Sequence, residues 1–283
     1  MYLGKIITFK AIEKIYRDLH IFYLRKISKK FFFEVSLVDH CNLNCVGCSH
    51  FSSIADECFL DVDNYKRDCE RFSELARKYV ALIHLCGGEP LLHKNITEII
   101  KITRSNFDNV IIKIITNGIL LPNMESDFWN VCKENNIIIS ITSYPININV
   151  KKIYELALQY GITIENDQSP YTIKFRKDIY DDQGRQSPKY SFRKCRKMLC
   201  HQLYEGKFYM CHIPAYIKYL NKRFSRNFEV SPEDYLDIYK IKNIKTLLKY
   251  IKRPISFCRY CNIDATDRNI TWCLSKKEIS EWM

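Results

Sequence analysis

Short apolar runs alternate with longer amphipathic segments over the first 160 residues of the chain. Four runs are short and apolar enough to be strands buried on both faces: 31–38, 81–86, 110–116 and 137–142. The segments that follow them repeat apolar side chains at helical spacing: 62–79, 95–104, 126–135 and 150–160, the last closed by Gly161. This alternation predicts parallel βα units, in which ligands bind at the carboxyl ends of the strands.

The pattern changes at both ends of the chain. Residues 5–28 place apolar side chains at helical spacing, which predicts an amphipathic helix that packs onto the domain or, as a less favoured alternative, contacts a membrane surface peripherally. After about residue 170 the alternation stops and a segment rich in tyrosine, lysine and arginine begins. We therefore expect an N-terminal helical extension (1–30), a βα domain (31–190) and a second domain (191–283).

The composition is that of a globular protein from a reducing compartment. Apolar residues make up 47% of the 283 residues. We find neither a secretory signal nor an apolar run long enough to cross a bilayer, and therefore expect a cytoplasmic location. Thirteen cysteines, several of them in closely spaced groups, favour metal or cluster ligation over a disulfide framework.

The formal net charge of +12 is concentrated in one segment. Between Lys189 and Arg253 there are sixteen lysine and arginine residues but five acidic residues, a balance of +11. Such a field attracts anionic partners, whether phosphorylated small molecules, nucleic acid or a membrane surface. A basic surface that is simply solvated is the alternative interpretation.

A tight cysteine triplet follows the first predicted strand. Cys41, Cys45 and Cys48 have the spacing CxxxCxxC, and three thiolates on one loop can hold three irons of a 4Fe-4S cluster. The fourth iron then stays open, as a catalytic metal centre requires. A zinc site is the alternative, but zinc knuckles combine a cysteine pair with a second, distant pair of ligands.

Two further motifs fall at the ends of the next two strands. In CGGEP the glycines let the backbone approach a ligand closely, and the carboxylate of Glu89 can accept hydrogen bonds from an ammonium group. In ITNG two polar side chains follow the third strand, although either motif alone is also an ordinary turn sequence. The candidate cofactor-binding residues of the two motifs are Gly87, Gly88, Glu89, Pro90, Thr116 and Asn117.

A second cysteine set lies in the basic C-terminal part. Cys195, Cys211, Cys258 and Cys261 make a complete four-thiolate ligand set for a second 4Fe-4S cluster or for zinc. Cys200 and Cys273 are left without an assigned role. The remaining cysteines lack partners at ligand spacing and are expected to be buried thiols.

These motifs resemble those of the radical S-adenosylmethionine (SAM) superfamily. The resemblance implies that the cysteine triplet holds a 4Fe-4S cluster whose open iron binds the amino and carboxyl groups of SAM, and that the GGEP segment contacts the amino group. The residue before the third cysteine is usually aromatic and contacts adenine in that family; here it is Gly47, so we expect Phe51 to take this role. The second set resembles a Twitch domain, a shortened SPASM domain with one auxiliary 4Fe-4S cluster.

The resemblance also implies a fold and a reaction. The fold is α/β: a partial (β/α)6 radical SAM barrel followed by a small α/β Twitch-like iron-sulfur domain. A flavodoxin or ferredoxin would reduce the first cluster, which splits SAM into methionine and a 5′-deoxyadenosyl radical. That radical would abstract hydrogen from the substrate.

Three functions remain open at this point. The layout is similar to that of 2-deoxy-scyllo-inosamine dehydrogenase, which favours oxidation or epimerisation of a sugar-like substrate or an anionic nucleotide-sugar or polysaccharide precursor. A peptide-modifying maturase ranks second, because a single helix precedes the first strand. A non-catalytic zinc or nucleic-acid-binding protein ranks last, because it leaves the triplet and CGGEP without a purpose, and a nucleic-acid partner is not expected.

Overall fold

A computed structural model describes residues 30–167, 174–195 and 197–283 of the chain. The amphipathic helix that we predict for residues 5–28 lies outside the described residues. All thirteen cysteines lie inside them, and every one is a free thiol. No helix in these ranges is both long and apolar enough to span a bilayer.

The first half of the described chain is a series of βα units, as the hydrophobic pattern predicts. The strands are β1 (Phe31–Val38), β2 (Val80–Gly87), β3 (Ile111–Thr116), β4 (Ile137–Thr142) and β5 (Thr163–Asp167). The helices that follow the first four strands are α1 (Val62–Ala76), α2 (Ile96–Asn106), α3 (Ser126–Glu134) and α4 (Val150–Tyr160). The four predicted strands and four predicted helices are thus confirmed within a few residues.

Local sequence explains where these helices begin and end. The side chain of Asp61 accepts a hydrogen bond from the backbone nitrogen of Asn64 at 2.8 Å and caps the first turn of α1. At the end of α4, Gly161 adopts a left-handed conformation with φ of 67°, which a glycine reaches without steric cost.

The second half of the described chain has shorter elements. They are β6 (Lys174–Lys177), α5 (Pro188–Lys194), β7 (His201–Tyr204), β8 (Lys207–Tyr209), α6 (Ile213–Phe224), β9 (Tyr235–Asp237), α7 (Ile244–Tyr250) and β10 (Asp267–Thr271). Strands β6 and β10 pair antiparallel with each other, apart from the main sheet.

The main sheet has the strand order β5-β4-β3-β2-β1-β7-β8-β9. Strands β1 to β5 pair in parallel, and β7 adds a further parallel strand beside β1. Strands β8 and β9 continue the sheet in antiparallel pairing. The α/β class with a mostly parallel sheet is therefore confirmed, and the sheet runs on beyond residue 190, where we expected the second domain to begin.

The two faces of the sheet differ in polarity. On one face Phe33, Val35 and Leu37 of β1 are buried under the helices, and the ring of Phe33 lies 5.1 Å from that of Phe72 in α1. Because side chains alternate along a strand, Glu34 and Ser36 point to the other face, which we call the inner face. The loops after β1, β2 and β3 leave the sheet at the same edge, beside this face.

Candidate active site

The cysteine triplet lies on the loop that follows β1. Cys45 is buried, and Cys41 and Cys48 are half-buried. Burial raises the pKa of the Cys41 thiol to about 12, with smaller contributions from the charges of the other two thiols, and it raises the pKa of Cys45 to about 11. Thiols that influence one another in this way lie close together, and they become thiolates when a metal ion supplies the compensating charge.

The glycines of CGGEP pack against the triplet loop. The backbone nitrogen of Gly88 donates to the Val38 carbonyl oxygen at 2.7 Å, and that of Glu89 donates to the His40 carbonyl oxygen at 3.2 Å. A methyl group on Gly88 would lie 1.9 Å from the His40 carbonyl oxygen. Gly87 has a φ of 125°, which disfavours any other residue. We expected these glycines to admit a ligand; in the structure they admit the backbone of the loop that carries Cys41.

Glu89 is fully buried between β2 and β3, and three donors hold its carboxylate. Its Oε1 accepts from the backbone nitrogen of Leu91 at 3.1 Å and from the hydroxyl of Thr116 at 2.7 Å, and its Oε2 accepts from the backbone nitrogen of Asn117 at 2.9 Å. Burial nevertheless raises the pKa of Glu89 to about 7, although these hydrogen bonds lower it.

Asn117 connects the third strand to the triplet loop. Its Nδ2 donates to Oδ1 of Asn42 at 2.7 Å and lies 3.8 Å from the sulfur of Cys41. Its Oδ1 accepts from the backbone nitrogen of Ile119 at 3.0 Å, which fixes the orientation of the amide. Pro90 begins the short 3₁₀ turn Pro90–Leu92, for which Glu89 is the N-terminal cap. The CGGEP and ITNG residues thus meet at Cys41.

Phe51 does not lie where the sequence predicts. Its side chain has no exposed surface, and its ring packs 5.9 Å from that of Tyr180 and 6.0 Å from that of Trp282. A ring without an exposed face cannot contact adenine, so we correct the expectation: Phe51 is a packing residue. Tyr144 and Trp272, which the sequence analysis did not single out, lie beside the sulfur of Cys45 with their rings 6.0 Å apart.

The C-terminal segment, residues 272–283, holds the triplet loop from the outside. The backbone nitrogen of Val46 donates to the Cys273 carbonyl oxygen at 3.0 Å, and that of Ser275 donates to the Asn44 carbonyl oxygen at 2.9 Å. Cys273 therefore contacts the loop through its backbone, while its side chain is exposed. No local signal in the sequence could reveal this contact, because more than two hundred residues separate its partners.

Two side chains near the C-terminus complete this contact. Oε2 of Glu281 accepts from the backbone nitrogen of Gly47 at 3.0 Å, and the indole nitrogen of Trp282 donates to the Cys48 carbonyl oxygen at 3.0 Å. Gly47 has a φ of 58°, and an added methyl group would lie 3.3 Å from the Glu281 carbonyl oxygen. A glycine before the third cysteine is therefore explained by backbone conformation and by tight packing.

The second cysteine set also converges. Cys195 follows α5, Cys211 follows β8, and Cys258 and Cys261 lie at the 3₁₀ turn Ser256–Tyr260. Burial raises the pKa of all four thiols, and the charges of the other members raise the pKa of Cys211, Cys258 and Cys261 further. The hydroxyl of Ser191 in α5 donates to the Cys261 carbonyl oxygen at 2.9 Å and joins two parts of the set. Four thiols that lie close together equal in number the ligands that a 4Fe-4S cluster needs.

Two cations and a buried carboxylate lie next to this set. Asp178 is bonded to Arg176 at 2.6 Å and to Lys197 at 2.5 Å. Burial alone would raise the pKa of Asp178, but the two cations hold it below its ordinary value. The same cations lower the pKa of the Cys195 thiol, against the larger effect of burial.

The inner face of the sheet carries polar side chains that the sequence analysis did not single out. Glu34 of β1 pairs in register with His84 of β2, and His84 with Lys113 of β3. The Lys113 ammonium lies 2.6 Å from the carboxylate of Glu165 in β5, across Ser140 of β4. Strands β1 to β4 each have one or two polar residues at inner-face positions in an otherwise apolar run, and this was the available signal in the sequence.

Known proteins share the N-terminal part of this sequence. Residues 35–163 match the radical SAM superfamily. A GTP 3',8-cyclase of Synechocystis sp. is 34% identical over 120 residues, which are 41% of this chain and 33% of that protein. The GTP 3',8-cyclase of Clostridium acetobutylicum is 35% identical over 101 residues, 34% of this chain and 30% of that protein. The chain thus covers about a third of the length of these curated relatives.

Among solved structures, BtrN in complex with AdoMet and 2-DOIA resembles this chain over most of its length. The sequence identity is 18%, the alignment covers 83% of this chain and 94% of BtrN, and the TM-score is 0.51. At this identity the likeness shows a shared fold and no more.

Proposed function

We propose that this chain, whose residues 35–163 are a radical SAM domain, is an enzyme that cleaves SAM and oxidises a hydroxylated small molecule. Cys41, Cys45 and Cys48 would hold the SAM-binding 4Fe-4S cluster. Glu89, Thr116 and Asn117 would form the part of the site that receives the methionine end of SAM. When bound, the cluster and SAM supply a radical that abstracts hydrogen from carbon.

The residues present fit these cofactors. Three thiols on one loop leave one iron of a cubane cluster open, and that is the position SAM needs. The carboxylate of Glu89 lies behind the same loop, held by three hydrogen bonds that keep its orientation fixed. A fixed carboxylate attracts an ammonium group without having to reorganise when the ligand binds.

The proposal of an oxidation rests on four thiols that lie close together, those of Cys195, Cys211, Cys258 and Cys261. A cluster with four protein ligands has no open iron, so it carries electrons and does not bind SAM. Loss of a hydrogen atom and a proton from an alcohol leaves one electron to be removed before a carbonyl forms. A second cluster in the same chain is an acceptor for that electron, whereas zinc has no redox chemistry of its own.

The polar side chains of the inner face favour a polar substrate. An ion pair between Lys113 and Glu165, with Ser140 between their strands, offers both donors and acceptors to hydroxyl groups. The structure of BtrN was determined with 2-DOIA bound, and BtrN shares the fold of this chain. The basic segment between Lys189 and Arg253 favours an anionic form of the substrate, such as a phosphosugar or nucleotide sugar. A flavodoxin or ferredoxin would be the reductant, in the cytoplasm.

Iron content tests the second cluster. A protein with Cys41, Cys45 and Cys48 changed to alanine, reconstituted without oxygen, should keep about four irons per chain and give a reducible cluster signal by electron paramagnetic resonance. A folded variant that binds no iron would overturn the auxiliary cluster, and with it the oxidation. Further change of Cys258 and Cys261 to alanine is the matched control and should remove the remaining iron.

A nucleotide cyclisation is the second candidate function. It is favoured by the sequence similarity to two GTP 3',8-cyclases and by the +11 balance of the basic segment, which would attract a triphosphate. Mass spectrometry after incubation with SAM and a reductant, with either GTP or a cyclitol, separates the two candidates. A new compound that has the mass of GTP but separates from GTP by chromatography favours the cyclisation. A product two hydrogens lighter than the cyclitol favours the oxidation.

A further inference from the structure

A further group of side chains that can bind metal lies on the inner face, beside the two cysteine sets but using none of their thiols. Glu34 of β1, Cys200 before β7 and His212 before α6 bring one ligand atom each to within 4.8 Å of the others. Oε2 of Glu34 and Nδ1 of His212 are 3.9 Å apart, which is too far for a hydrogen bond. Cys200 belongs to neither cysteine set.

Both of these polar atoms lack a partner. Oε2 of Glu34 and Nδ1 of His212 are buried, and neither makes a hydrogen bond within the described residues. The other nitrogen of His212, Nε2, lies 3.3 Å from the hydroxyl of Ser49. The Ser49 hydroxyl thus occupies Nε2, and Nδ1 is the ring nitrogen that lies toward the carboxylate of Glu34.

Two buried, unpartnered polar atoms that face each other are stabilised by a cation between them. Buried polar groups are paired almost without exception, and an unpaired carboxylate oxygen is among the least tolerated. A bound cation satisfies both atoms at once.

The geometry agrees with a small divalent ion. Two nitrogen or oxygen ligands of a tetrahedral zinc ion, at bond lengths of about 2.0–2.1 Å, lie about 3.4 Å apart. A closure of about half an ångström therefore brings Glu34 and His212 to bonding distance. An imidazole nitrogen, a thiolate and a carboxylate are all ligands that zinc accepts, and three protein ligands leave a fourth position open.

We infer that Glu34, Cys200 and His212 bind a zinc ion on the inner face of the sheet. Ser49 orients His212 in the way that outer-sphere partners orient metal-bound histidines. Lys113 and Glu165 lie on the same face of the sheet, and an ion with three protein ligands would have a fourth position for a hydroxyl or carboxylate oxygen of the substrate. This site does not depend on the cleavage of SAM.

His50 and Cys86 form a neighbouring group that shares Glu34. The ring of His50 is stacked on that of His212, with centroids 4.4 Å apart and an interplanar angle of 11°. We place the ion at His212 because Ser49 occupies Nε2 of that ring, so that Nδ1, which faces Glu34, is the nitrogen left to bind a metal. A matched change of each histidine decides between the two groups.

Zinc binding tests the inference directly. The full chain, with its iron reconstituted so that the cluster sites are filled, is exposed to zinc without oxygen and freed of excess metal. We expect about one zinc per chain by elemental analysis, and one sulfur among its ligands by X-ray absorption. Zinc surrounded by four sulfurs would mean that it has replaced iron, and would overturn the inference.

Variants locate the ion. Glu34→Gln keeps the shape of the side chain and lies on β1, outside both cysteine sets, so it should keep iron and fold while zinc affinity falls at least tenfold. His212→Ala should do the same, and Cys200→Ser should remove the sulfur signal. His93→Ala, a buried histidine elsewhere, is the control. No zinc in the folded, iron-loaded protein, or zinc that is lost with His50→Ala and not with His212→Ala, would contradict the assignment.

Discussion

Replacement of Glu89 by glutamine should abolish SAM binding and still leave the ligand-free protein as stable as the unchanged protein in alkaline solution. The carboxylate is fully buried, and burial raises its pKa from 4.5 to about 7. Ionisation of Glu89 therefore costs free energy in the folded state, and a bound cationic ligand would offset this cost. Glutamine has the same shape and cannot ionise.

The sign of the pH dependence follows from proton binding. Between pH 4.5 and about 7 the folded protein binds a proton at Glu89 that the unfolded chain has released, so stability falls as the pH rises through this window. The difference in pKa corresponds to about 3 kcal/mol above the window, of which about 2.5 kcal/mol is lost between about pH 5 and about pH 8. In Glu89→Gln, the side-chain amide N–H faces at least one of the three groups that donate to the carboxylate. The lost hydrogen bond lowers the free energy of unfolding by about 1–3 kcal/mol, independently of pH.

Urea unfolding of the iron-free proteins at about pH 5 and about pH 8 measures the effect. The free energy of unfolding of Glu89→Gln, relative to the unchanged protein, should rise by about 2.5 kcal/mol from the lower to the higher pH. The variant Glu98→Gln, which alters an exposed carboxylate on α2, should show no such change. A Glu89→Gln variant that is destabilised equally at both pH values would refute the account of the buried carboxylate.

Three other changes have clear expected outcomes. Gly88→Ala should push the triplet loop away from β2 and release the iron of the first cluster, as seen in elemental analysis, whereas Gly161→Ala at a helix end should keep it. Asp178→Asn should lower the free energy of unfolding by about 3 kcal/mol in urea titrations, because two cations lose their buried partner. Since the pKa of Asp178 is lowered, this contribution is present above about pH 4 and is lost in more acidic solution; equal stability of the two proteins at neutral pH would contradict it. Trp282→Phe removes the hydrogen bond to the triplet loop, and should cost about 1 kcal/mol and hasten loss of iron to a chelator, while an unchanged rate would refute the holding role of the C-terminal segment.

Hydrophobic periodicity alone predicted the βα half of the chain closely. Strand β1 and helix α4 begin and end where the apolar pattern does, because each is decided by neighbours a few positions away. Strand β7 could not be found in this way. It has four residues and is held by pairing with β1, which is more than 160 residues earlier in the chain.

Motifs predicted which residues meet at the site, but not always what they do. Cysteine spacing divides the candidate ligands into two sets, which stay predictions as ligand sets, and Glu89 lies with Thr116 and Asn117 as their strand ends suggested. Spacing could not show that Gly88 packs on the backbone of His40, or that Phe51 is buried under Trp282, because both contacts depend on tertiary packing. Glu34 was missed because one polar residue in an apolar strand was interpreted as part of the strand.

Release of 5′-deoxyadenosine from SAM is the measurement that tests the central claim most directly. Anaerobically reconstituted and reduced protein should produce it, and so should a variant in which Cys258 and Cys261 are changed to alanine, provided that its first cluster is retained. The variant without the thiols of Cys41, Cys45 and Cys48 should produce none. Equal release of 5′-deoxyadenosine by that variant and by the unchanged protein would contradict the assignment of the SAM-cleaving cluster to the loop after β1.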